Sequence, residues 1–288
     1  MIHSFGAIIT KPDKRDFKLE LLGTNTPIPE VYSTDISNIP VLHQKKQPAC
    51  GSHSATALKM IQEKHDDEQN PNYTPRLHWK VTKSRDGIPL DNGMTINDLF
   101  KSLQSASVCD LSLLDNNTDL SIQDYFNIVA TPAQLENAKG KLIDNYAITH
   151  KPTFEQLKRA IYLNKAVIVL YRCGQNMYRP SWNEKDIMPL SPNRYPMDSG
   201  HFVVAYGYDS KYIYFRNSWG NSWARRGDGY FGADYMPHVV AIGTAIDNKD
   251  VTPKIVPMTW YERFLAIIKK DNLIEYSPQL GRWIYKKK

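Results

Sequence analysis

Three side chains in this sequence could together make a nucleophile and its base: Cys50, His201 and Asn217. A thiol attacks as its thiolate, so a cysteine of this kind needs a base beside it and a setting that favours the anion. His201 opens an apolar run, Phe202-Val203-Val204-Ala205-Tyr206, and Asn217 closes a second one, Tyr212-Ile213-Tyr214-Phe215-Arg216. Gly207 and Asp209-Ser210-Lys211 separate the two runs in the pattern of a hairpin. In an antiparallel pair the start of one strand lies beside the end of the next, so His201 and Asn217 are expected within hydrogen-bonding reach. Trp219 and Trp223 follow in Asn-Ser-Trp-Gly-Asn-Ser-Trp and could cover that pair from water.

Cys50 stands at the head of a helical pattern that runs to about Lys64, with Ala55, Leu58 and Ile61 or Met60 on one stripe. Unpaired amides at a helix N-terminus lower a thiol pKa, and a neighbouring imidazolium would lower it further, so a thiolate–imidazolium pair is expected. Gln44, six residues before Cys50, can aim its side-chain amide at the same oxygen as the Cys50 N–H.

Pro40-Val41-x-x-Gln44, Cys50 six residues later, Gly200-His201-Phe202-Val203-Val204 and the Asn217-Ser218-Trp219-Gly220-Asn221-Ser222-Trp223 block resemble the papain-like cysteine proteases, and the bacterial and viral branches more than the secreted cathepsins. His201 lies 151 residues after Cys50, close to the ~130–150 expected for that family's Cys, His, Asn order. The resemblance covers roughly residues 36–245. It implies an α+β fold of two domains, helical and antiparallel β-barrel-like, with the active site in the cleft between them. It also implies that Cys50 attacks a peptide carbonyl, His201 protonates the leaving amine and Asn217 holds the imidazole. Gln44 would complete the oxyanion site, and Trp219 and Gly200 would contact substrate.

The sequence departs from the family pattern in places. Gly51 stands where tryptophan usually follows the nucleophile, and Ala224 stands where glycine is usual after the second tryptophan. A rival register sets Cys50-Gly51-Ser52-His53 on the family's Cys-Gly-Ser-Cys, with Gln47 as the oxyanion residue. It puts His53 at the nucleophile position, and a protein built that way would be a non-catalytic binding module. An acyl transferase or amidase on the same scaffold is a further alternative.

The 288 residues are 41% hydrophobic and 23% charged, as in a globular protein with an ample core. Of the net charge of +6, residues 252–288 hold +5, so nucleic-acid binding by the body is not expected. No run reaches the ~20 apolar residues of a membrane span, and the first residues lack a signal-peptide pattern. Three scattered cysteines suit a reducing setting, the cytoplasm or a virion or host-cell interior, and spell neither a disulfide framework nor a metal site. No cofactor is expected, and the partner is a polypeptide substrate.

In order, residues 1–35 read as an arm, either a strap on the second domain or a plug of the cleft. Residues 36–145 read as the helical domain with Cys50, and 146–247 as the β domain with His201 and Asn217. Residues 248–288 form a basic extension whose 258–270 run is an amphipathic helix able to meet a protein partner. Thr95 and Thr153 are expected helix caps, and His78 and His65 ordinary surface or core residues. Residues 110–145 carry little legible pattern. A long loop, 175–197, would bring Tyr178, Trp182 and Tyr195 beside the cleft.

Overall fold

A computed structural model describes residues 5–12, 27–66, 70–174, 177, 197–246, 274–277 and 282–285. The chain forms two compact units, 1–249 and 250–288. In the second, β10 (Ile274–Ser277) and β11 (Arg282–Tyr285) pair as an antiparallel hairpin. The expected 258–270 helix and the side chains Tyr178, Trp182 and Tyr195 lie outside the described residues.

The first unit opens with β1 (Tyr32–Ser33), followed by α1 (Cys50–His65), β2 (Tyr73–Thr74), α2 (Arg76–Lys83), α3 (Ile96–Ser105), β3 (Cys109–Asp110), α4 (Ile122–Phe126) and α5 (Pro132–Lys139). Then come β4 (Asn145–His150), α6 (Phe154–Asn164), β5 (Val167–Cys173), β6 (Ser199–Tyr208), β7 (Tyr212–Arg216), β8 (Asp228–Gly232) and β9 (Val239–Ile246). The caps read from sequence hold. Thr95 accepts from the Asp98 amide, and Thr153 and Gln156 form a reciprocal capping box. Residues 110–145 contain a second box, Thr131 with Gln134 around Pro132, that pattern reading missed.

Helices precede and a sheet follows, the expected α+β class. The sheet is antiparallel in the order β4-β9-β5-β6-β7-β8, with β1 also on β6. Its path is open, with no pairing of β4 to β8 among the described strands. Strand alternation divides its apolar residues between two cores. Ile168, Leu170, Phe202 and Val204 meet α1 and α3, while Val167, Val169, Val203 and Ala205 meet α6 and the Trp219–Trp223 aromatics. Cys50 and His201 therefore sit where the helical half meets the sheet.

Candidate active site

The hairpin forms as expected, with Val204 opposite Arg216 and a bulge near Tyr206. Asp209 closes it by accepting from the amides of Lys211 and Tyr212 at 2.7 Å each. His201 Nε2 lies 2.8 Å from Asn217 Oδ1. The same Oδ1 accepts from the Ser218 amide at 2.8 Å. A backbone N–H can only donate, so that end of the Asn217 amide is the oxygen and His201 Nε2 must carry the proton. In the neutral ring the basic lone pair is then on Nδ1, the other side of the imidazole.

Cys50 is the first residue of α1, whose first turn carries no side-chain cap and no acidic residue, so the positive end of the helix is unopposed. The nearby backbone amides of Phe202, Gly6, Gly51 and Cys50 itself favour the anion of this thiol. Phe202 follows His201, which ties the thiol to the start of β6. Gly51 is required by packing: a Cβ there would lie 2.6 Å from Met94 Sδ and 3.3 Å from the Phe202 ring. A family tryptophan has no room at this position.

Gln44 is buried and bridges the two walls. Its amide donates to Ser218 O at 2.8 Å and its Oε1 accepts from Ser218 Oγ at 2.6 Å. Its Nε2 donates to Gln47 O at 2.9 Å. Trp219 lies 5.0 Å, centroid to centroid, from His201, and Trp223 packs edge-on against Trp219. The indole that covers the histidine is therefore the first of the two, and the second supports it. Gly220 has φ +77°, and a Cβ there would sit 2.5 Å from the His43 ring, so the turn after Trp219 demands glycine.

The rival register loses its residues to structural work. His53 bonds the Ala49 carbonyl of its own helix through Nδ1 at 2.8 Å, and burial holds its pKa down at about 4. Gln47 donates to Leu120 O at 2.8 Å. His78 is likewise a core residue, between Ser52 Oγ at 2.8 Å and Leu99 O at 3.0 Å. Cys109 is buried, and the three cysteines are free thiols. No cluster of metal-ligating side chains occurs among the described residues.

The arm proves to be two things. Residues around Tyr32 strap the sheet, with β1 on β6 and Tyr208 Oη donating to Pro29 O at 3.1 Å. Residues 5–8 lie in the cleft. Ala7 N donates to Gly200 O at 3.2 Å, Ile8 N to Met94 O at 2.9 Å, and Met94 N to Gly6 O at 3.1 Å. Phe5 packs on His201 and Trp219 at 5.8 and 5.7 Å. Gly200 admits this strand because a Cβ would meet Ala7 O at 2.5 Å. With the arm in place Cys50 is 0% exposed, and burial pushes its thiol up to about 12. The lowered thiol pKa expected from sequence is thus overridden, because loss of hydration outweighs the amides that favour the anion.

The α+β scaffold places a helix N-terminal thiol against the strand that carries the histidine–asparagine pair. A sequence model of the papain family of cysteine proteases matches residues 114–242, a span that contains His201, Asn217 and Trp219 and begins after Cys50. Over that span the chain is similar to the papain family of cysteine proteases, and its fold is papain-like. Among solved structures it is similar to xylellain, a cysteine protease from Xylella fastidiosa, at 17% identity and a TM-score of 0.73, covering 85% of this chain and 96% of that one. It is also similar to procathepsin B from Trypanosoma congolense, at 12% identity and TM-score 0.64 over 84% and 86% of the two chains. The Carica candamarcensis protease CMS1MS2, solved in complex with E-64, aligns at 15% identity and TM-score 0.56 over 77% and 100%. Among curated protein sequences none matches.

Proposed function

We propose that this chain is an endopeptidase acting through Cys50, His201 and Asn217. The observation that carries the reading is the stretch of the protein's own chain in the cleft. Residues 6–8 are held by main-chain hydrogen bonds on both walls, and chain continues to either side. A groove that grips extended backbone and is open at both ends suits the interior of a polypeptide. An acyl transferase or amidase for small substrates has no need of two backbone-reading edges. The proton moves from the Cys50 thiol to His201 Nδ1, the sulfur attacks the carbonyl carbon, and the carbonyl oxygen becomes an oxyanion. That charge is met by the Cys50 amide and the side-chain amide of Gln44. Nδ1–H then protonates the leaving amine, and water activated by the same nitrogen releases the acyl enzyme.

The mechanism also sets a direction. The leaving amine must lie beside His201, so the C-terminal part of a substrate runs toward Trp219 and the acyl part toward Met94. The arm runs the other way, with Phe5 at Trp219 and Ala7 at Met94. Its peptide bonds are therefore presented backwards, and we read it as a plug that keeps the site latent. Cut or displaced, it would return hydration to Cys50 and lower the thiol pKa. Three free, buried cysteines support a reducing compartment, and among the described residues no helix is long and apolar enough to cross a membrane.

Intact mass after exposure to an epoxysuccinyl thiol inhibitor tests both parts. Gly6→Val, whose side chain would strike the Pro48 carbonyl 2.1 Å from the Cβ position, should take one adduct at Cys50 faster than the unaltered chain, and Cys50→Ala should take none. A folded Gly6→Val protein that gains no adduct would remove Cys50 as the nucleophile.

A further inference from the structure

One wall of the cleft is a strand in a sheet, but the other is a turn, Asn92-Gly93-Met94, that belongs to no extended ladder. Something else must hold that turn still. Lys83, the last residue of α2, reaches it from beneath: its ammonium donates to Gly93 O at 3.0 Å and Asn92 O at 3.3 Å, and to Asp86 Oδ2 at 3.0 Å. Three ammonium hydrogens meet three acceptors. Both side chains are shut from water, at 0% for Lys83 and 1% for Asp86. A buried lysine is costly unless paired and fully bonded, so this one is held in a single geometry.

The two carbonyls that Lys83 grips belong to the residues just before Met94. Met94 is the residue whose N–H and C=O bond the chain lying in the cleft. Fixing the peptide planes of 92 and 93 fixes the direction of the Met94 amide. Gly93 confirms how close the fit is, since a Cβ there would lie 1.6 Å from Gly6 O.

We propose that Lys83 is a positioning residue for peptide binding, a buried cation that sets the backbone-reading edge opposite Gly200, with Asp86 as its counter-ion. The inference rests on the reading of the cleft as a polypeptide site. Lys83 never touches the reacting atoms. It acts through Met94 on whatever backbone occupies the groove, whether the plug or a substrate.

The test uses the full chain and iodoacetamide, a reagent small enough to need no backbone edge. Lys83→Met should loosen the plug and raise alkylation of Cys50 roughly tenfold, the effect of losing a charge-assisted bond. Cys109 and Cys173 should stay unlabelled. A purely structural lysine would instead let all three cysteines label together, and that result, or an unchanged Cys50 rate, overturns the proposal. Lys83→Gln keeps two donor hydrogens and should restore part of the protection. Should the methionine variant fail to accumulate, the glutamine variant still separates a Cys50-only rise from a parallel one. In a Gly6→Val background Lys83→Met should raise KM for a peptide about tenfold and leave kcat within about threefold. A fall in kcat at constant KM would count against it. The labelling arm needs no turnover, so an inactive Gly6→Val protein would sink the peptidase reading without disturbing the Lys83 result.

Discussion

The two walls of the cleft are built by different physics. The β wall, carrying His201 and Asn217, is a ladder of backbone hydrogen bonds backed by an aromatic cluster of Tyr171, Phe215, Trp219 and Trp223. The helical wall, carrying Cys50 and the Met94 edge, is held by buried polar groups: Lys83 with Asp86, Lys59 with Glu63 at 3.0 Å, and His78 between Ser52 and Leu99. Apolar packing is tolerant of chemistry and intolerant of lost volume. A satisfied polar network is the reverse, since deleting one member strands another. The β wall should therefore fail by cavity formation, and the helical wall by protonation or loss of a partner.

The largest effect should come from breaking the β wall at its aromatic support. Trp219→Ala removes a fully buried ring and should cost about 3–5 kcal/mol of stability, read as a lower denaturant midpoint at constant slope. A loss under about 1 kcal/mol would mean that the cluster is not what holds this wall. Next is Gln44→Ala, which crosses between the walls and should lower kcat by about 10²–10³ in an arm-released protein. An unaltered kcat would take Gln44 out of the oxyanion site.

Acid should sharpen the contrast. Burial depresses His53 and His78 to about 4 from an ordinary 6.5. Both stay neutral in the folded chain while the unfolded chain takes up protons below about pH 6.5. Their contribution is present above that pH and is lost as pH falls toward about 4, at up to about 1.4 kcal/mol per pH unit for each histidine. Denaturant midpoints measured from pH 7 to 4 should slope downward, and His78→Gln should flatten the slope. A flat wild-type profile would show that these rings do not weaken the helical wall on protonation.

The smallest effect concerns the turn beyond Trp223. Ala224 sits at φ +45°, the left-handed region where a side chain costs about 1–2 kcal/mol, and the family's usual residue there is glycine. Ala224→Gly should raise stability by up to about 1 kcal/mol, seen as a small increase in Tm. No increase would mean that the loop has absorbed the strain.

Much of the site was legible because its spacing is local or carries a specific signature. The hairpin put His201 beside Asn217 through strand pairing alone, and a helix pattern beginning at Cys50 placed the thiol at an N-terminus. The capping boxes at Thr153 and Thr131 are equally local, though the second went unread amid the polar stretch around it. Gly51 and His53 looked like irregularities in the motif, and only packing explains them: Met94 fills the space above Gly51, and His53 is spent on its own helix.

What the sequence determined by itself was the class of fold and the candidate chemistry, since Cys50, His201 and Asn217 stand as residue types at readable distances. Tertiary structure decided the state of that chemistry. Whether residues 5–8 strap the sheet or fill the cleft depends on Gly6, Gly93 and Gly200 coming together from three remote segments, and a glycine states only that backbone can approach, never which backbone does. The thiol pKa followed the same rule. A helix N-terminus argues for a thiolate, but hydration is a property of everything packed around the sulfur, and here the sulfur is fully buried.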